Sequence, residues 1–150
     1  MIKEGDIIPK MELIDHNGNK ITVGDGEKYT VIYFYPKDDT PGCTKQCIVF
    51  SSLKQEFEKN NTQIVGISRD SNESHKKFAQ KYNLNISLIS DKEKKLALIF
   101  GVEGKIMFSR DTIILDPTGK VIKIYRKVNP VDNPKEVLDF IKSFQIQRIS

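Results

Sequence analysis

The chain holds two cysteines, Cys43 and Cys47, in the stretch "YFYPKDDTPGCTKQCIVF", with three residues between them. Three kinds of chemistry are open to such a pair. A zinc site wants about four ligands from Cys, His, Asp or Glu. The two histidines, His16 and His75, lie in separate segments, and no paired-ligand spacing is present. Neither a metal nor a cofactor is expected. A redox dithiol at the start of a helix uses Cys-x-x-Cys, one residue tighter than the spacing here. The third possibility is one reactive thiolate with a neighbour. Both could also be small buried hydrophobes, the common fate of free cysteine.

The elements around the pair narrow the choice. "YTVIYFY" (29–35) is a near-continuous apolar run, which suits a strand in the middle of a sheet covered on both faces. Pro36 ends it, because proline cannot donate to a ladder. From Cys43 to about Lys59 the spacing is helical, with Val49, Leu53 and Phe57 expected on one face. Both cysteines therefore fall on the first turns of a helix that follows a central strand, where open α/β sheets place their sites. A helix N-terminus presents free N–H groups and partial positive charge. Cys43 lies nearer to that end than Cys47, so Cys43 is the better nucleophile.

The remaining elements follow from local signals. "KMELIDHNGNKITV" reads as a hairpin across His16-Asn17-Gly18-Asn19. "TQIVGIS" and "ISLIS" are strands, and "SNESHKKFAQKYN" is a helix with Ser and Asn as cap candidates. "DKEKKLALIFG" is a helix closed by Gly101, and "DTIILDPTGKVIKIYR" is a hairpin turning at Asp116–Gly119. "NPKEVLDFIKSF" closes the chain as a helix, with Val137, Phe140, Ile141 and Phe144 on one side. The order is an N-terminal hairpin, then β-α-β-α-β-α-β-β-α. It indicates one α/β domain over residues 1–150 with a central mixed sheet flanked by helices.

"FYPKDDTPGCT" resembles the active-site segment of the peroxiredoxins, thiol peroxidases on a thioredoxin-like fold. Their pattern of Pro, three residues, Thr or Ser, two residues and Cys is met by Pro36, Thr40 and Cys43. "YFYPKDDTPGCTKQ" is similar to the bacterioferritin comigratory protein or peroxiredoxin Q subfamily. The likeness extends through "GDIIPKMELIDHNG", "VGISRDSNESHKKFAQKYNL", "ISLISD" and "RDTIILDPTGKV". It implies reduction of hydrogen peroxide or organic hydroperoxides through a Cys43 sulfenic acid. It also implies that Arg110, the Thr40 hydroxyl and first-turn N–H groups act as donors to the leaving oxygen, with Pro36 walling the pocket. Thioredoxin or another thiol is the implied reductant. His75 is expected to be a solvated or packing residue, and Tyr33 and Tyr35 to pack on the sheet. The rival reading is a thioredoxin-like disulfide oxidoreductase, in which Arg110 and Thr40 would have no role.

The likeness breaks at the second cysteine. Subfamily members with two cysteines usually carry the resolving one five residues after the first, where this chain has Ile48. Helical Cα atoms four apart are separated by about 6.2 Å, and five apart by about 8.7 Å. Disulfides need about 4.4 to 6.8 Å, with Cβ atoms near ~3.8 Å. The pair Cys43–Cys47 thus demands less unwinding than the usual spacing, although some fraying is still required. Either Cys47 resolves the Cys43 sulfenic acid, or an external thiol does. No cysteine follows Cys47 that a partner subunit could supply, so a monomer is expected.

Composition excludes little else. A net charge of +4 invites nucleic-acid binding, but the lysines alternate with acids, as on solvated helix faces, so none is expected. The longest apolar runs are too short for a membrane span. The acids in "MIKEGDIIPKMEL" argue against an export signal, so a cytoplasmic protein is expected.

Overall fold

Six consecutive residues, Tyr29–Phe34, form a strand that is buried at every position. The computed structural model, which describes residues 1–149, places this strand (β3) at the centre of a five-stranded sheet. Before it, β1 (Met11–Ile14) and β2 (Lys20–Val23) pair antiparallel across the Asn17-Gly18 turn. Gly18 supplies the positive φ, 82°, which such a turn needs. After β3 come α1 (Pro41–Ser52), α2 (Lys54–Lys59), β4 (Thr62–Ser68), α3 (Asn72–Tyr82) and β5 (Ser87–Ser90). The chain continues through α4 (Lys95–Phe100), β6 (Thr112–Leu115), β7 (Val121–Tyr125) and α5 (Asn133–Ile149).

The sheet order is β5-β4-β3-β6-β7, parallel across β3, β4 and β5 and antiparallel across β3, β6 and β7. It is the mixed α/β architecture expected from the alternation of strand and helix signals. Period-two alternation divides β3 between two cores. Tyr29, Val31 and Tyr33 face a cluster with Cys43, Cys47, Phe50, Phe57, Val137 and Ile141. Ile32 and Phe34 face the other, with Leu13, Val23, Ala97, Phe100 and Phe108. Helices α1, α3 and α5 thus cover one face, while α4 and the N-terminal hairpin cover the other.

Two helices differ from the expectation. The segment after Cys43 breaks at Leu53 (φ −96°, ψ 0°) into α1 and α2. The buried face of α1 is Cys43, Gln46, Cys47 and Phe50, one position off the stripe through Val49. Helix α4 begins at Lys95, not at Asp91, because the buried Asp91 carboxylate receives the Leu96 and Ala97 N–H groups at 3.2 and 3.0 Å. Asp91 thereby satisfies first-turn donors from outside the helix. No helix among the described residues is long and apolar enough to cross a membrane.

Candidate active site

Strand β3 delivers the chain to a loop, residues 36–40, which ends at the N-terminus of α1. Pro36 stops the ladder and is partly buried at the start of this loop. Asp39 adopts a left-handed φ of 58°. Its carboxylate is held by Lys81 Nζ at 2.8 Å and the Tyr82 hydroxyl at 2.6 Å, both from α3. Pro41 then opens the helix, where its missing N–H leaves no bond unmade. Thr40 is the N-cap residue, but its side chain makes no capping bond. Its hydroxyl donates to the Lys37 carbonyl at 2.8 Å. The Thr40 hydroxyl proton is thereby engaged by a backbone carbonyl, and the side chain leaves the first-turn N–H groups uncapped for another acceptor.

Cys43 lies in the first turn, fully buried. Arg110, two residues before β6, donates from one nitrogen, Nη1, to Cys43 Sγ at 3.4 Å and to Gln46 Oε1 at 2.9 Å. The guanidinium fits because residue 42 is glycine: a Cβ there would stand 3.1 Å from Arg110 Nη2. Asp111, the adjacent acid, does not compete. Its carboxylate takes Arg126 Nη1 at 2.9 Å, the Lys127 N–H at 3.0 Å and the Ser109 hydroxyl at 3.1 Å. Among the described residues Arg110 pairs with no carboxylate, so its charge is directed at the sulfur and at a neutral amide. The positive end of α1 adds to it. This arrangement can hold a negative sulfur and stabilise charge developing on an oxygen beside it.

Cys47 sits one turn deeper on the same intact helix. Its sulfur lies 3.0 Å from the Tyr33 hydroxyl, and both residues are wholly buried. Burial pushes the Cys47 thiol far above its ordinary range, and the Tyr33 hydrogen bond offsets only part of that. Tyr33 is fixed by stacking on Phe50, ring centroids 4.4 Å apart, and by lying over Gly66, its partner in β4. A Cβ on Gly66 would come within 2.7 Å of the Tyr33 ring and hydroxyl. Both cysteines are free thiols. Side chains four apart on an intact helix keep Cβ atoms about 5–6 Å apart, beyond the ~3.8 Å of a disulfide.

The structure thus brings Cys43, Arg110 and the α1 N-terminus together, with Thr40 and Pro36 on the loop that leads in. Several residues around them escaped sequence reasoning. Gln46 is polar, yet it is 0% exposed and orients Arg110; a glutamine on an otherwise apolar helix face was the available signal. Tyr33 and Tyr35 do pack on the sheet, but both hydroxyls are engaged, Tyr35 with Asp38 at 2.6 Å. His75 is not solvated: it is 0% exposed and bonded to Asp38 at 2.7 Å. Gln46, Tyr33 and His75 find these partners 64, 14 and 37 residues away, beyond any local pattern, while Tyr35 finds its own three residues on. No group of three His, Cys, Asp or Glu side chains among the described residues could hold a metal.

Known proteins share this frame. Peroxiredoxin Bcp of Bacillus subtilis is 39% identical over 150 residues, covering 94% of this chain and 96% of its own length. Putative peroxiredoxin bcp of Helicobacter pylori is 36% identical over 147 residues, covering 92% and 97%. A peroxiredoxin Q structure from Xylella fastidiosa superposes with a TM-score of 0.90 at 29% identity, covering 97% of this chain and 98% of that one. The bacterioferritin comigratory protein of Xanthomonas campestris, whose structures address alkyl peroxide reduction, gives 0.81 at 34% identity, covering 89% and 91%. The mixed sheet with its flanking helices is accordingly the thioredoxin-like fold of these structures. With the AhpC/TSA family model matching residues 5–124, and relatives of this identity along nearly the whole length, the chain belongs to the AhpC/TSA family, on its peroxiredoxin Q and Bcp branch.

Proposed function

We propose that the protein is a thiol peroxidase in which Cys43 is the nucleophile. The observation that carries the reading is the Arg110 guanidinium, 3.4 Å from Cys43 Sγ and without a carboxylate partner among the described residues. The Cys43 thiolate attacks the terminal oxygen of a hydroperoxide. An S–O bond forms as the O–O bond breaks, giving Cys43 sulfenic acid and a hydroxide or alkoxide that takes up a proton from water. Arg110 and the first-turn N–H groups of α1 face the charge that develops on the leaving oxygen. The Thr40 hydroxyl, its proton directed to Lys37, accepts a hydrogen bond from the incoming peroxide, and Pro36 closes the pocket wall. Hydrogen peroxide and organic hydroperoxides are the substrate class.

Two routes close the cycle. Attack by Cys47 on the sulfenic acid releases water and leaves a Cys43–Cys47 disulfide. It requires the first turns of α1 to open, which separates Cys47 from Tyr33 and lets water restore its acidity. While α1 stays folded, an external thiol such as thioredoxin is the reductant. A single domain working as a monomer in a reducing compartment such as the cytoplasm fits a chain with no further cysteine. Peroxide consumption in the presence of a thiol tests the reading: Cys43→Ser must abolish it. Insulin-type disulfide reduction without peroxide would instead support a disulfide oxidoreductase.

A further inference from the structure

The chain's two histidines are both buried, and their surroundings are opposite. His16 Nδ1 lies 3.2 Å from the Leu88 backbone N–H, a group that only donates, so this nitrogen carries no proton. Burial also lowers the pKa of His16. His75 has an acceptor at each nitrogen: Asp38 Oδ2 lies 2.7 Å from Nδ1, and the Ile89 carbonyl 3.2 Å from Nε2. Each Asp38 oxygen already receives a hydroxyl, Tyr35 on Oδ1 at 2.6 Å and Ser74 on Oδ2 at 2.8 Å. His75 thus lies between a carboxylate and a backbone carbonyl, with the Tyr35 hydroxyl also 3.4 Å from Nδ1.

We propose that His75 is a positioning residue for the Cys43 site: through its hydrogen bond it anchors Asp38 and, through Asp38, the loop that carries Thr40. The proposal rests on the thiol-peroxidase reading above. Asp38 is the midpoint of the 36–40 loop, and its own N–H is held by Asp70 Oδ2 at 2.9 Å. Its neighbour Lys37 supplies the carbonyl that takes the Thr40 hydroxyl proton. A shift of Asp38 moves that carbonyl, and with it the lone pairs that Thr40 turns toward an incoming oxygen. The anchor must be firm because the following residue, Asp39, holds a left-handed conformation that a non-glycine residue disfavours. A ring fully removed from water, with a carboxylate on one side and a carbonyl on the other, supplies such an anchor.

Two measurements on the full-length reduced protein test this. With only two histidines, the imidazole nitrogen–proton NMR spectrum at neutral pH contains two rings. The ring lost in His75→Asn is expected to carry a slowly exchanging proton on Nδ1, bonded to Asp38, and the ring lost in His16→Asn to carry none there. The second measurement is the ratio of two rates at Cys43, oxidation by hydrogen peroxide and alkylation by iodoacetamide. Alkylation needs the thiolate alone, whereas peroxide also needs Thr40 in place. His75→Asn keeps a neutral donor near Asp38, and Ser74→Ala removes one hydroxyl with little change of volume. Both should lower the ratio, His75→Asn by about tenfold to a hundredfold, the scale of a small misplacement. A His75 Nδ1 without that proton, or an unchanged ratio in folded variants of a peroxide-reactive enzyme, overturns the proposal. A wild-type Cys43 with no preference for peroxide would overturn the peroxidase reading itself, and this role for His75 with it.

Discussion

Replacing Arg110 with Met removes the cation bonded to Cys43 while keeping a side chain of similar length. Unit charges 3.4 Å apart attract by about 5 kcal/mol at the effective dielectric of a protein surface, and by about 1 kcal/mol in water. Arg110 is partly exposed, so the true value lies between these limits. At about 1.4 kcal/mol per tenfold, Arg110→Met should slow peroxide attack by Cys43 between about tenfold and a thousandfold. Arg110→Lys should fall between wild type and Met. Lysine keeps the charge, but its compact ammonium lacks the planar, delocalised guanidinium that reaches Cys43 and Gln46 through Nη1. The chain has no tryptophan to report the reaction, so the rate is best measured by competition with a second peroxide consumer. An Arg110→Met rate within about twofold of wild type, under about half a kcal/mol, would refute the electrostatic account of the site.

Three further outcomes are expected. Gln46→Glu keeps an acceptor for Arg110 but adds a carboxylate that neutralises it and repels a thiolate; peroxide attack should slow by at least about tenfold, while urea unfolding shifts little. Gly66→Ala drives a Cβ to 2.7 Å from the buried Tyr33 ring and 3.0 Å from Leu88 Cδ2, so it should cost about 1–3 kcal/mol or more by denaturant titration. Cys47 is raised in the folded state from an ordinary 9.0, so both states keep its proton below that pH and stability is unaffected there. Above it the unfolded chain releases the proton and the folded chain does not, so stability falls by up to about 1.4 kcal/mol per pH unit. Tyr33 and Tyr35, also raised, extend the loss above 10.0. In Cys47→Ala the fall between pH 9 and 10 should largely vanish.

Local chemistry made much of the fold legible. The Asn17-Gly18 turn, the unbroken apolar run of β3 and the positive-φ Gly101 that closes α4 each carry their own signal in a few residues. Spacing alone also placed Cys43 at a helix N-terminus after a central strand. What failed depended on contacts distant in sequence. The buried face of α1 runs through Gln46 because Arg110, 64 residues later, satisfies its carbonyl, and no local apolar stripe can show that. The break at Leu53 then turns Phe57 back onto the core from a second helix. For His75 in "SHKKF" a solvated or a packing place was open, and its acid, which lies across the fold in the 36–40 loop, decides for the buried one. Thr40 matched the sequence pattern, yet the direction of its proton is set by the Lys37 carbonyl and was visible only in the structure.

The central claim is that peroxide oxidises Cys43 and that Cys47, buried against Tyr33, follows only when α1 opens. Reduced protein treated with one equivalent of hydrogen peroxide, quenched with a thiol-blocking reagent and mapped by peptide mass spectrometry addresses it directly. The account predicts that at the earliest times Cys43 carries one added oxygen while Cys47 is still a free thiol, and that Cys47→Ser leaves this first step unchanged. Oxygen appearing first on Cys47, or on neither cysteine while peroxide is consumed, would contradict it.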